Sequence, residues 1–359
     1  MSDKLPPSVM RGMVAGSLAE TNPAVYLSGA IQSFQSLCGV LDENRVELDS
    51  SSEILDFGCG CGRISEQWIH HKATPIIYGC DANSEVIDWC IKNLNYAFYT
   101  RSRIAPPLSV LNNKFAVIYA ISVFNHLPFH LSLQWMTEFW RVLAPGGSLL
   151  ITYYGPSIIR HQFSGSPNNK HFILVDEEPY LGAAIGPIGS NDWISVTTLK
   201  AIQCIFSPFD VSCAYPRHTI MPSQDTILLR KPVNAVLHAI TQPRPPKTRT
   251  EYRIPLPTSL LLQPNIVGTI TVFHRKYDGP SPYKIFLESA LQSDFLVIAT
   301  TDRIFGPDEY CINVSTFKIM MHASIGKHVK LPFVFSSDRS SDTSQILHLI
   351  FLWKSSDAI

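Results

Sequence analysis

An α/β fold, a parallel sheet with helices on both faces, followed by an all-β unit, is the architecture this sequence predicts. Three observations carry it. Short runs that are apolar on both faces alternate with amphipathic helical segments between residues 53 and 154. The first of those strands runs into a turn with three alternating glycines, Gly58, Gly60 and Gly62, and the next strand ends in an acid, Asp81. Beyond Lys231 the helical period disappears, and short runs alternating apolar with polar take over, separated by Gly, Pro, Asp and Ser.

The elements follow in order. Residues 5–50 form a helical preamble, in which Leu27, Ala30, Ile31, Phe34, Leu37, Cys38 and Leu41 recur at helical spacing and give one face that can pack. A strand at Glu53–Phe57, a helix over 63–71 and a strand over 75–80 come next. Ser84 is placed to cap a helix whose Val86, Ile87, Cys90, Ile91 and Leu94 share a face. The run FAVIYAISV at 115–123 is apolar throughout, as a central parallel strand must be. A helix over 131–143 is ended by Pro145-Gly146-Gly147, and SLLITYY at 148–154 is another buried strand. An irregular insertion at 155–192, rich in Gly, Pro, Asn and His, precedes a helix over 195–204 and strands over 206–214 and 225–229.

Residues 1–231 therefore read as one domain. Residues 232–257, with TQPRPPKTRTEYRIP, read as a stiff Pro-rich linker, and 258–359 as a β-rich accessory domain, sandwich-like or a small barrel.

Composition narrows the function. The 359 residues carry 29 basic and 29 acidic side chains, a formal charge of zero, which argues against a protein whose main task is gripping a phosphate backbone. No apolar run reaches the roughly 18 residues of a membrane span, and the first dozen residues lack the apolar core of a signal peptide, so a cytoplasmic setting is expected. The eight cysteines are scattered, several inside apolar strands or helices, and read as small buried thiols. Cys59 and Cys61 have no matching second pair, so no metal is expected there.

The densest signal is ILDFGCGCGRI at 54–64 followed by YGCDANSEVIDWC at 78–90. A dinucleotide fingerprint needs G-x-G-x-x-G; this turn is G-x-G-x-G, with an acid, Asp56, two residues before the first glycine. Asp81 falls 25 positions after Asp56, where a carboxylate can accept from both hydroxyls of a ribose; it can also cap the helix that follows. The chain resembles the class I S-adenosylmethionine-dependent methyltransferases in these two motifs, and the likeness extends over about 5–231, including FAVIYAISVFNHL and FWRVLAPGGSLLITYYG.

The resemblance implies a Rossmann-like sheet closed by a hairpin whose last strand is antiparallel, and S-adenosyl-L-methionine as cofactor. It also implies that Asp56 and the backbone of Phe57, Gly58, Cys59 and Gly60 face the methionine part. Asp81 is then expected at the ribose, Ala82 at the adenine edge, and Ile121 at the exit of the central strand. The family's acidic or amide contact to the adenine amine is missing from TRSRIAPPL, so Ser102 or a backbone group should serve.

His126, in SVFNHL after the central strand, is the candidate base, with an imidazole whose ordinary pKa lies near 6.5; ordering the loop or touching the cofactor is its other reading. His161, His171, Asp176, Glu177, Glu178 and Tyr180 lie on the insertion, where an acceptor pocket can be built or the side chains are simply solvated, and Arg11 either meets the cofactor carboxylate or the acceptor or is an exposed residue at a helix start. ISVF lacks the Asn/Asp-Pro-Pro-Tyr/Phe cluster of enzymes that methylate base or glutamine amines. The expected reaction is methyl transfer to a hydroxyl of a small molecule, sugar or natural product. Nucleic acid is disfavoured as a partner. A protein methyltransferase that docks its target, or a cofactor-binding scaffold, are the alternatives, and the β-rich domain offers a surface for a glycan, a protein partner or self-association.

Overall fold

The computed structural model describes residues 4–127, 129–155, 181–183, 195–215, 219–222 and 224–241, and beyond them 250–255, 265–275, 283–287, 295–304, 312–322, 330–337 and 346–355. They fall into two units, one running to Lys231 and the other from Pro232. The insertion lies mostly outside the described residues, with His161, His171, Asp176, Glu177, Glu178 and Tyr180.

The first unit opens with α1 (Ser8–Ala15), α2 (Ser17–Thr21) and the long α3 (Pro23–Glu43). Asn22 starts α3: its side chain accepts from Ala24 N–H at 3.0 Å, and Pro23 occupies the first turn, where a missing N–H costs nothing. Tyr26, Ala30, Ser33, Leu37, Val40 and Leu41 form its buried face. By length and composition α3 passes as a membrane-crossing helix, but Leu37, Val40 and Leu41 pack in a core cluster with Ile54, Trp68, Val117 and Leu150.

The sheet is built from β1 (Glu53–Phe57), β2 (Ile76–Asp81), β3 (Phe98–Arg101), β4 (Phe115–Ala120), β5 (Leu143–Tyr153), β8 (Asp210–Tyr215) and β9 (Asp225–Arg230). Between β5 and β8 lie a small antiparallel pair, β6 (Leu181–Ala183) and β7 (Ser195–Thr197). The strand order is β3-β2-β1-β4-β5-β9-β8. β1 to β5 are parallel, and β9 runs antiparallel to both β5 and β8. The expected Rossmann-like sheet with its closing hairpin is therefore present.

Period two sorts the strands' side chains onto two faces. Ile54 points to the α3 side, while Phe57 packs against Trp135 and Phe139 of α5 (Phe129–Val142) at ring distances of 4.5 and 4.9 Å. Phe206, just after α6 (Leu199–Ile205), meets Phe124 at 5.3 Å on that side. Truncating a fully buried ring such as Trp135 removes about 3–5 kcal/mol.

Several boundaries differ from the sequence reading, each for a local reason. Residues 63–71 form a 3-10 helix, Ser65–His70, instead of an α-helix. With three residues per turn, Ser65 and Trp68 line up on one side, where they reach Asp56 and Tyr119. Asn83, not Ser84, caps α4 (Ser84–Asn93), its Oδ1 accepting from Glu85 N–H at 2.9 Å. Pro145-Gly146-Gly147 does not end a helix: α5 stops at Val142, and these residues lie within β5, where the register shifts between Phe115↔Leu143 and Val117↔Ser148. The extra residues bulge out, with Gly146 at φ 77°. Residues 195–197 are strand rather than helix, because Thr198 caps α6 by accepting from Ala201 N–H at 3.1 Å. β4 stops at Ala120, since Ser122 has φ 62°.

The regular elements described in the second unit are strands: β10 (Ala235–Thr241), β11 (Thr250–Pro255), β12 (Asn265–Arg275), β13 (Tyr283–Leu287), β14 (Phe295–Ile304), β15 (Ile312–His322), β16 (Lys330–Ser337) and β17 (Ile346–Ser355). They form one sheet of order β10-β17-β12-β15-β14 and another of order β11-β16-β13. The stretch 232–257 is thus not simply linker. AVLHAIT pairs with β17 and TEYRIP with β16, and the Pro-rich residues lie between these strands.

Candidate functional site

The residues singled out in the sequence converge on the carboxyl ends of β1, β2 and β4. Gly58, Gly60 and Gly62 take φ values of 76°, 53° and 72°, the left-handed region that favours glycine. The turn is also crowded: a Cβ on Gly58 would stand 2.4 Å from Val123 Cγ2, and one on Gly60 2.8 Å from Val14 Cγ1 of α1.

Four of the turn's N–H groups are used inside the fold. Those of Gly58 and Cys59 donate to Cys80 O at 2.8 and 3.0 Å, and that of Gly62 to Cys59 O at 2.9 Å. Gly60 N–H donates to Asp81 Oδ2 at 2.9 Å, and Asn83 N–H to Asp81 Oδ1 at 2.8 Å. A pyrophosphate turn must keep such donors free. This one presents oxygen acceptors and carboxylates instead.

Asp56 is 4 % exposed and accepts from Ser65 Oγ at 2.6 Å and from the Tyr119 hydroxyl, which in turn accepts from Trp68 Nε1 at 3.2 Å. Burial pushes its pKa up to about 6 against these hydrogen bonds, and the charge of Asp81 adds to the rise. Burial also raises Asp81, while the amides of Asn83, Gly60 and Ala82 pull it back. Two carboxylates close enough to repel form a negative site.

The remaining expected residues stand nearby with different exposure. Phe57 turns its ring into the α5 core, so only its backbone faces the turn. Ala82 is exposed, and Ser102 N–H donates to Asp81 O at 2.9 Å, which brings it beside Asp81. Ile121 is 8 % exposed and belongs to the core cluster with Tyr119 and Ile220. His126 is half-buried and closes the 3-10 turn Phe124–His126 through its N–H to Val123 O at 2.9 Å. Cys59 is buried, and both it and Cys90 direct their thiols at Gly60 O, at 3.6 and 3.4 Å.

Arg11 is not at the site. Its guanidinium donates to the carbonyls of Ala19 (3.0 Å), Pro6 (2.8 Å) and Glu20 (2.8 Å), tying α1 to α2. A planar fork of donors suits several carbonyls at a helix junction, which overrides a role with a ligand here.

Sequence reasoning missed a polar cluster where β4 and β5 end. Ser122 N–H donates to Thr152 Oγ1 at 2.7 Å, and Thr152 Oγ1 donates to Gln224 Oε1 at 2.6 Å. Ser122 Oγ accepts from Gln224 Nε2 at 2.9 Å and from Asn125 Nδ2 at 3.1 Å. Asn125 is fully buried, and its Oδ1 has no hydrogen-bond partner. The left-handed φ of Ser122, rare for serine, marks the exit of β4 as a strained point.

Residues 54–147 match a family described as a methyltransferase domain. Over those residues the chain is similar to a methyltransferase domain. Solved structures similar to it include a methyltransferase from Methanosarcina mazei, at 20% identity over 52% of this chain and 95% of that one, with a TM-score of 0.41. Another from Aquifex aeolicus matches at 16% identity over 63% and 99%, with a TM-score of 0.39. A third, from Clostridium acetobutylicum, matches at 11% identity over 56% and 91%, with a TM-score of 0.41.

The geometry at this edge suits S-adenosylmethionine. S-adenosylmethionine carries a sulfonium and an ammonium, and a turn whose Gly58, Cys59, Gly60 and Gly62 amides are already engaged, beside two carboxylates, is matched to positive charge rather than to phosphate. Asp81 still has acceptor capacity for a ribose hydroxyl after its bonds with the Gly60, Asn83 and Ala82 amides, because a carboxylate has about four acceptor positions.

Proposed function

We propose that the chain transfers the methyl group of S-adenosylmethionine to a hydroxyl of a small molecule, sugar or natural product. The carrying observation is Ser122. Its Oγ already accepts from Gln224 and Asn125, so what it has left to offer a ligand is its proton. An oxygen nucleophile can accept that hydrogen bond and keep a second lone pair for attack. An amine nitrogen has one lone pair and cannot do both.

The cofactor supplies a methyl group already activated on sulfur, so positioning is the protein's main contribution, worth up to about 7–11 kcal/mol. In this reading Asp56 and the backbone of Phe57, Gly58, Cys59 and Gly60 hold the methionine part, Asp81 the ribose, and Ala82, Ser102 and Ile121 surround the adenosine. Ser122 holds the acceptor oxygen, and His126 takes its proton as the O–C bond forms. Serine itself cannot be the base, because both of its lone pairs are occupied. The β-rich accessory domain docks the acceptor or a partner, and the protein works in the reducing cytoplasm.

Methyl-labelled S-adenosylmethionine offered with hydroxylated metabolites and glycans, alongside their amino counterparts, tests this. Label is expected in the hydroxylated compounds, with one unlabelled S-adenosylhomocysteine formed for each methyl group transferred. Label confined to amines, or to added proteins, contradicts it.

A further inference from the structure

Among the described residues Arg63 is a cation without an ion pair. It follows the last glycine of the turn, and among the described residues the ion pairs join Arg101 to Asp88, Lys114 to Glu53 and Arg141 to Glu138, leaving Arg63 out. The hydrogen-bond partner of its guanidinium there is a thioether, Met221 Sδ, 3.9 Å from Nη2. A Cβ on Gly29 would lie 3.6 Å from Nη1, so the head group sits against α3. Asp56 is near enough to feel its charge, yet the Asp56 carboxylate is engaged by Ser65 and Tyr119. The side chain is half-buried, and burial lowers its pKa.

A guanidinium removed from water needs compensation, and a thioether is a weak acceptor. Its planar donors match a carboxylate with two parallel hydrogen bonds. The position fits a ligand. Arg63 leaves the glycine turn at the carboxyl edge of β1, and Met221 lies shortly before Asp225, which pairs with Tyr153 at the carboxyl end of β5. Arg63 thus stands at the edge that holds Asp56, Asp81 and Ser122.

We propose that Arg63 receives a ligand carboxylate at this edge, an assignment that rests on the methyltransferase reading above. That carboxylate has two sources, the amino-acid end of the cofactor or an acidic acceptor. Calorimetry on the full chain separates them with two probes. S-adenosylhomocysteine has the carboxylate, whereas 5′-methylthioadenosine shares its adenosine and thioether but lacks the amino acid.

If the cofactor is the source, Arg63→Gln weakens S-adenosylhomocysteine by at least about ten-fold, leaves methylthioadenosine unchanged, and Arg63→Lys restores part of the loss. If the acceptor is the source, Arg63→Gln leaves both nucleosides unchanged. Saturation-transfer NMR on the S-adenosylhomocysteine-loaded protein then shows benzoate or acetate bound to the wild type and to Arg63→Lys but not to Arg63→Gln. An equal loss for both nucleosides, or no change in any of the three measurements, overturns the assignment. Failure of the wild type to bind either nucleoside is a different result, which sinks the methyltransferase reading and the assignment with it.

Discussion

Asp56 is held in a state that folding alone would not choose. Its pKa of about 6 in the folded chain stands against an ordinary value near 3.9, so the folded state binds the proton more tightly than the unfolded one. Its contribution to stability is therefore greatest below about pH 4 and is lost as pH rises through about 6, a difference on the order of 3 kcal/mol. Asp56→Asn should raise the melting temperature at pH 7.5 and give little gain at pH 4, when melts are followed by circular dichroism. The same variant should bind S-adenosylmethionine more weakly, because a cationic ligand favours the ionised carboxylate. In the wild type, affinity for that ligand should fall as pH drops below about 6; a flat profile from pH 5 to 8 would remove Asp56 from the cofactor's surroundings. Asp56, the glycines and Asp81 were legible because they are close in sequence and their spacing states a geometry. Gln224 was not, because nothing local ties position 224 to Ser122, 102 residues earlier in the chain. Arg63 lay inside the quoted motif, and only its missing partner draws notice.

Elements were read with more success than their ends. Apolar runs of the right length located the strands of the first sheet, while caps and bulges moved their boundaries by a few residues. Asn83 and Ser84 are both capping types, and which one leads is decided by the hydrogen bond to Glu85. The strands within 232–257 were hidden by prolines that fall between them and by partners far along the chain, from Pro255↔Lys330 to Ala235↔Lys354. The α1–α2 junction is a case where the residue type was noticed and its partner misjudged. Arg11→Met removes donors from three carbonyls at once, and the expected cost is about 1–3 kcal/mol for leaving such groups unpaired. Thermal melts should show it, with Arg11→Lys restoring less than wild type because an ammonium cannot span the same fork. Because Val14 of α1 stands over Gly60, S-adenosylhomocysteine affinity should fall in parallel. A variant that melts like the wild type would show that the junction does not need the clamp.

For the whole molecule, the parallel sheet with a reversed strand at β9 brings every residue of the site to one edge, although they come from positions 56 to 224. That convergence gives a negatively charged turn, a donor-only serine and an arginine open to a carboxylate their shared setting. The second unit has sheets of its own, and its chemistry is the part of the chain least written in motifs. Ligand binding to the first unit should stabilise the folded state by about 2.7 kcal/mol at a hundred times the dissociation constant. The most direct test of the central claim is calorimetric titration of S-adenosylmethionine and S-adenosylhomocysteine into the full chain, with Asp81→Ala measured beside it. Micromolar binding of both, weakened at least about ten-fold in the variant, is the predicted result. Absence of binding to the wild type, or full affinity in Asp81→Ala, would contradict the account.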